Sequence, residues 1–119
     1  KTITQFIDEM AERVRSRGGF PIGTATGFLE HSTIEEHPGE VASATQAVSA
    51  LVHDHELIVR TLRTSIEKCV AYGDAGTADF LTGMLEEHEQ MAWMNRSFLE
   101  GEAIQANGRA HAEDAPLYA

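Results

Sequence analysis

The sequence predicts an all-α fold built as a helical bundle. Apolar residues recur with the period of an α-helix in three long segments. The last two segments are joined only by residues 73–76, and so short a link forces two helices to lie antiparallel. Three helices rarely close a four-helix core, so we expect a fourth helix from an upstream segment or from a neighbouring chain.

The first segment is an amphipathic helix. Its apolar stripe is Ile3, Phe6, Ile7, Met10 and Val14. We expect the helix to run through Arg17 and to stop at Gly18-Gly19, which supply a permissive backbone. Only Thr2 or Thr4 is available to cap its start. A helix that begins where the chain begins leads us to expect that its upstream part is missing here.

Residues 20–40 are rich in Gly, Thr, Pro and Glu and are predicted to be mainly loop, with a short helix over Ala25–Glu30. Pro38 disfavours helix at His37. The next helix is predicted from about Gly39 to Tyr72, and Gly73 stops it. Its inward stripe is Val41, Ala44, Val48, Leu51, Val52, His55, Ile58, Val59, Leu62, Ile66, Cys69 and Val70.

The last helix is predicted to begin at Thr77 as the N-cap, with Asp79 in its first turn, and to end near Gly101. Its inward residues are Phe80, Leu81, Met84, Leu85, His88, Met91, Ala92, Asn95, Phe98 and Leu99. Residues 102–119 show no periodic pattern. We therefore expect a helical domain over 1–101 and a partly ordered tail over 102–119.

Composition limits the classes of protein that this chain can represent. Its 119 residues fit one domain with one modest core. A net charge of −10 is far from the balance of a nucleic-acid-binding protein and suits the attraction of metal cations. The single Cys69 cannot form an internal disulfide, which favours a reducing cytoplasm. No apolar run is long enough for a membrane span, and no signal peptide is visible.

Asp8 and Glu12 are the candidate metal ligands. They stand one helical turn apart, so their Cβ atoms lie roughly 5–6 Å from each other. Two such carboxylates repel unless a cation or a proton lies between them, and a metal that prefers oxygen ligands would relieve the repulsion. The alternative is a solvated helix flank whose charge is compensated by Arg13 and Arg15.

His55 and His88 both fall in apolar stripes of the two long helices. Counting back from the turn between them places His55 nearer to Asn95 than to His88. Two buried histidines on facing helices can bind a metal, but neither has the Glu-x-x-His spacing found in two-metal sites of helical bundles. A hydrogen-bonded core histidine is the favoured interpretation for each.

Three motifs occur in an order and at separations shared with a known family. They are Asp8-x-x-x-Glu12-Arg13 with its Gly18-Gly19 helix end, the loop Pro21-x-Gly23-Thr24, and the helix start Thr77-Ala78-Asp79. Over about residues 4 to 101 the chain resembles the Dps family. These miniferritins oxidise and store iron in hollow shells and often protect DNA. The resemblance implies a ferritin-like four-helix bundle whose first helix is missing or supplied separately, and a hollow dodecamer.

The resemblance also implies a role for the two carboxylates. In the family, two iron ions bind at a two-fold subunit interface, where one subunit supplies an Asp and a Glu that match Asp8 and Glu12. The partner supplies His and Asp residues from positions that precede Lys1. Two Fe(II) ions then pass their electrons to hydrogen peroxide. We therefore expect Asp8 and Glu12 to be catalytic metal ligands of a ferroxidase.

Three further residues gain a possible role from the resemblance. The family has an acidic three-fold pore for iron entry in the region of Asp74 and Asp79, whose local roles in the turn and the helix start also suffice. An aromatic residue at the position of Trp93 lies near the oxidation site, although plain packing is the favoured interpretation.

Three functions remain open. A ferroxidase and iron-storage subunit is favoured. A DNA-protecting nucleoid protein is the second, but the visible residues provide no basis for DNA binding, since the tail has Arg109 and His111 against Glu102, Glu113 and Asp114. The third is a structural helical fragment without ferroxidase activity. In each case we expect a bacterial-type cytoplasmic protein that does not interact with membranes, and the second function would place it at the nucleoid.

Overall fold

Two long antiparallel helices form the centre of the molecule, and a third helix packs across them. The computed structural model describes residues 3–39 and 43–107, with side chains as far as residue 101. In chain order the helices are α1 (Ile3–Ser16), α2 (Ala25–His31), α3 (Ala44–Ala71) and α4 (Ala75–Asn107). The described residues contain no strand, which confirms the all-helical prediction. None of these helices is long and apolar enough to cross a membrane.

The first helix ends where the glycines predict. Gly18 has a φ of 85°, and the backbone N–H of Gly19 donates to the carbonyl of Val14 over 2.9 Å. Such a left-handed residue after the last turn is a common helix stop. The predicted short helix is confirmed as α2, whose N-cap Thr24 accepts a hydrogen bond from the N–H of Gly27 over 3.1 Å.

The third helix begins later than Gly39, the predicted start. Gly39 has a φ of 72°, which is a turn conformation, and Ser43 is the N-cap. The Ser43 side chain accepts from the N–H of Gln46 and the Gln46 side chain accepts from the N–H of Ser43, which is a complete capping box. Val41 of the predicted stripe lies outside the described residues.

The fourth helix begins earlier and ends later than predicted. Asp74, not Thr77, is its N-terminal cap: the Asp74 carboxylate accepts from the Thr77 N–H over 3.1 Å, and the Asp74 carbonyl accepts from Ala78 N–H over 3.1 Å. Asp79 is the fifth residue of the helix, beyond the first turn. The helix continues past Gly101 to Asn107, because residues 102–106 are mostly good helix formers. The remainder of the predicted tail, residues 108–119, lies outside the described residues.

The core lies where the three long helices meet. Phe6 of α1, Leu62 of α3 and Met84 of α4 form its buried centre, with four partly buried residues packed around them: Ile58, Phe80, Leu81 and Leu85. Other residues of the predicted inward stripes are exposed, among them Leu51, Val70 and Phe98. The described residues cover these side chains only in part.

Candidate functional site

Asp8 and Glu12 lie on the exposed side of α1. Both side chains are exposed, whereas Phe6, the buried residue of α1, points into the core with only 4% of its surface accessible. The prediction placed the two carboxylates at the edge of the buried face. Asp8 is turned by roughly 200° from Phe6, because it stands two residues further along the helix. Glu12 lies at the edge of the α1–α4 contact, where it lines a depression together with Phe80 of α4.

The arginines next to these carboxylates are engaged elsewhere. Arg13 donates from Nε to Thr77 Oγ1 over 2.9 Å and from Nη2 to Asp74 Oδ1 over 3.1 Å. Arg15 donates to the carbonyl of Gly19 over 3.1 Å, and its guanidinium lies 4.6 Å from the centre of the Phe20 ring. Within the described part of the chain, Asp8 and Glu12 therefore form no ion pair with either arginine.

The two carboxylates do not form a complete metal site by themselves. No group of three or more His, Cys, Asp or Glu side chains among those described is arranged to hold a metal ion. Glu12 lines a shallow depression of about 350 Å³ with Glu9, Arg13, Ser16 and Phe80. The arrangement thus provides two oxygen ligands on one exposed helix face, and a closed coordination shell requires further ligands.

Asp74 joins the end of α1 to the start of α4. Thr77 donates its hydroxyl to Asp74 Oδ2 over 2.6 Å, and Arg17 Nε lies 3.4 Å from the same oxygen. The hydrogen bonds from Thr77 lower the pKa of the Asp74 carboxyl below its ordinary value, and Arg17 and Arg13 lower it further. The predicted turn role is thereby confirmed for Asp74.

The other two predicted residues stand apart from Asp8 and Glu12. Asp79 is an exposed residue of α4, close to the hairpin turn. Trp93 lies in the second half of α4 with 62% of its surface accessible among the described residues. Its favoured packing role and its alternative place near the oxidation site both stay predictions.

His55 and His88 form the buried polar contact of the core. Their Nδ1 atoms are 2.9 Å apart and their ring centres 5.2 Å apart, and the Phe6 ring stacks on His88 at 5.9 Å. The predicted pairing of His55 with Asn95 is wrong, whereas a hydrogen-bonded core histidine is confirmed. Burial lowers the pKa of both imidazoles, and His55 lowers that of His88 further.

A cluster of arginines between α3 and α4 was not identified from the sequence. Arg60, Arg63 and Arg96 line a groove between α3 and α4 together with Glu56 and Glu89. Arg63 donates to Glu89 over 2.9 Å, and Arg96 pairs with Glu56. The helical spacing of Arg60 and Arg63 was visible in the sequence, but Arg96 comes from another helix. Two of the three charges are compensated, so the groove is only weakly positive.

Comparisons with known proteins agree with this fold. A family model described as a ferritin-like domain matches residues 1–103. An uncharacterized low temperature-induced protein of Nostoc is 51% identical over 113 residues, which cover 94% of this chain and 63% of that protein. The DNA protection during starvation protein 2 of Bacillus anthracis is 39% identical over 94 residues, covering 78% of this chain and 63% of that protein.

Solved structures of similar proteins superpose closely. The Dps protein from Bacillus brevis matches with a TM-score of 0.78 at 37% identity, covering 82% of this chain and 64% of that one. Dps from Staphylococcus aureus matches with a TM-score of 0.77 at 36% identity, covering 81% and 64%. The chain therefore spans a little under two thirds of the length of these relatives.

Proposed function

Because this chain belongs to the ferritin-like family, and within it to the Dps miniferritins, we propose that it is a subunit of an iron-storing shell that oxidises Fe(II). The observation that carries the proposal is the pair Asp8 and Glu12. Both carboxylates are exposed on one face of α1, and the two neighbouring arginines are held by other groups. Compensation by Arg13 and Arg15 therefore does not account for the two charges.

Iron is the substrate that this pair suits. Carboxylate oxygens are good ligands for first-row metal ions, and a Glu carboxylate is able to bridge two of them. Two Fe(II) ions at the site each lose one electron to hydrogen peroxide. The peroxide O–O bond breaks, and two protons complete its reduction to two water molecules. Because both electrons reach one peroxide molecule, the reaction forms no hydroxyl radical.

The remaining ligands are proposed to come from a second subunit. Asp8 and Glu12 stand beside an apolar part of α1 that is also exposed, with 52% of Ile3 and 57% of Ile7 accessible. Burying this surface in a subunit interface removes apolar side chains from water, but it also buries two unpaired carboxylates. Burial is therefore favourable only if the carboxylates bind a cation. We therefore propose a homo-oligomer, a dodecamer by family, with two iron ions at each subunit interface.

Asp79, Asp74 and Trp93 have secondary roles in this proposal. Asp79 is exposed close to the hairpin turn and is the stronger candidate for an iron-entry pore. Asp74 contributes less to such a field, because Arg13 and Arg17 offset its charge. Trp93 is exposed in the single chain, so a second subunit that packs against it would place it close to an interface that binds iron. We place the protein in a bacterial-type cytoplasm, where Fe(II) persists and a lone Cys69 stays reduced.

A DNA-protecting role is the second candidate. It is favoured by the name of two relatives, from Bacillus anthracis and Brevibacillus brevis, that are called DNA protection during starvation proteins. The net charge of −10 opposes direct contact with phosphate. Protection through removal of iron and peroxide needs no such contact and is compatible with the first proposal.

Replacing both carboxylates tests the proposed function. Asp8→Asn with Glu12→Gln should lower the initial rate of Fe(II) oxidation by peroxide at least about tenfold, because even changes around metal ligands cost that much. Ferric absorbance in stopped flow measures the rate, and size-exclusion chromatography verifies that the assembly persists. Glu67→Gln with Glu86→Gln, two exposed carboxylates on α3 and α4, is the control. Unchanged kinetics in the Asp8 and Glu12 variant would refute the assignment.

A further inference from the structure

The His55–His88 pair has no part in the proposed oxidation, yet it lies at the junction of three helices. His55 belongs to α3, His88 to α4, and Phe6 of α1 stacks on His88. Both imidazoles are buried, with 8% and 4% of their surfaces accessible. Burying two imidazoles costs free energy that apolar side chains of similar size would not cost, so packing alone does not account for histidine at both positions.

We propose that the His55–His88 pair, when neutral, positions α1 on the α3–α4 hairpin, and that protonation of the pair releases the part of α1 that carries Asp8 and Glu12. Control of the iron site by protons rests on the proposed function. The release of α1 itself does not.

The geometry limits how many protons the pair can hold. One Nδ1 donates its hydrogen to the lone pair of the other Nδ1 across 2.9 Å. If both rings become imidazolium, two N–H groups point at each other and the hydrogen bond is lost. The native pair therefore accepts at most one additional proton, whereas two unfolded histidines accept two.

The surroundings disfavour even the first additional proton. Asp54, next to His55 on α3, and Glu87, next to His88 on α4, favour the charged form, but desolvation outweighs them and lowers the pKa of both imidazoles. From α1 the pair receives the Phe6 ring, while Glu9 lines a cavity of about 250 Å³ with Glu87.

The position of Phe6 connects the pair to the proposed iron ligands. Two contacts of α1 with the hairpin frame this segment: Phe6 rests on His88 and the core, and Arg13 binds Asp74 and Thr77. Asp8 and Glu12 lie between these two points in the sequence. Loosening of Phe6 therefore moves the segment that carries both carboxylates, while Arg13 still holds its far end.

The direction of the pH effect follows from the lowered pKa values. The pKa of each histidine is lower in the folded protein than in the unfolded chain, so below about pH 6.5 the unfolded chain binds more protons than the folded protein does. The stability from the neutral pair is complete above about pH 6.5 and falls as the pH decreases towards the folded pKa values. Hydrolysis of ferric ions releases protons, so storage of iron would itself favour release of α1.

Hydrogen exchange of α1 tests the proposal in the complete, iron-free protein. Opening constants for residues 7–12, corrected for intrinsic exchange rates, should rise between pH 7.5 and 5.5. The rise should be about tenfold for each proton that the unfolded histidines bind and the native pair does not. His55→Leu with His88→Leu removes the titration and leaves no polar atom unpaired, so its α1 should change less than about twofold. His53→Gln, an exposed histidine on α3, should behave as the wild type.

Two results would overturn the proposal. One is a wild-type α1 whose corrected opening constants do not change with pH. The other is a leucine pair that retains the wild-type pH dependence, since other groups would then be responsible. If the leucine pair does not fold, His55→Gln with His88→Gln keeps hydrogen bonding without titration and should also abolish the pH dependence. Failure of the Asp8 and Glu12 test would refute the iron site without changing these results.

Discussion

At the scale of residues, Arg13 attaches the end of α1 to the turn between α3 and α4. Its guanidinium reaches both Thr77 and Asp74, more than sixty positions away in the sequence. This approach depends on Gly76, because a Cβ atom there would lie 2.8 Å from Arg13 Nη2. Glycine in a helix is normally unfavourable, so its presence at Gly76 is explained by this contact.

Gly76→Ala and Gly83→Ala make a matched pair that tests this contact. Gly83 has open space around it on α4, so alanine should stabilise the protein by about 0.5–1 kcal/mol and raise its Tm by a few degrees. Gly76→Ala should not raise the Tm, because its Cβ displaces Arg13 from Asp74. Differential scanning calorimetry measures both. An equal rise in the two variants would show that the contact does not stabilise the protein.

Local sequence patterns predicted some residues of the site and missed others. The i, i+4 carboxylates were evident, and the glycine stop after α1 was correct. The choice of Thr77 over Asp74 as the cap was wrong, because both are good caps and the decision depends on Arg13 from a distant helix. His55 was placed nearer to Asn95 than to its observed partner His88, an error of about two helical turns, because counting from a turn ignores how far one helix is shifted along the other.

At the scale of elements, the helices were predicted correctly in number and order, but their ends were not. The start of α3 was placed too early because the capping box of Ser43 and Gln46 was overlooked. The apolar stripe of α1 shows a second difference. Periodicity predicts that the whole stripe is buried, whereas the described chain leaves Ile3 and Ile7 exposed. This exposed part of the stripe belongs to the surface that the proposed subunit interface would cover.

At the scale of the whole molecule, charge is distributed in a way that suits cations rather than nucleic acid. The chain carries nineteen acidic and nine basic residues. The arginines near the end of α1 are occupied: Arg13 and Arg17 by Asp74, and Arg15 by Gly19 and Phe20. In the α3–α4 groove, Glu56 and Glu89 compensate two of the three arginines. The described chain thus offers no concentrated positive surface to a phosphate backbone.

The protein should accordingly not retain duplex DNA near neutral pH and physiological salt. Affinity for DNA comes mainly from cations that neutralise phosphates. At about 0.15 M salt the screening length is about 8 Å, so only close contacts would remain effective. A mobility-shift titration of this chain decides the matter, with a low-salt series as the reference. Salt-sensitive retention of DNA would reveal a basic surface outside the described residues.

The location of bound iron tests the central claim most directly. Crystals of the assembled protein, soaked with Fe(II) under anaerobic conditions, can be measured at the iron absorption edge. Our account predicts an anomalous peak between the Asp8 and Glu12 carboxylates, at an interface where a second subunit supplies the remaining ligands. The peak should vanish in the Asp8→Asn, Glu12→Gln variant. Iron that is bound elsewhere while these carboxylates remain empty would contradict the account.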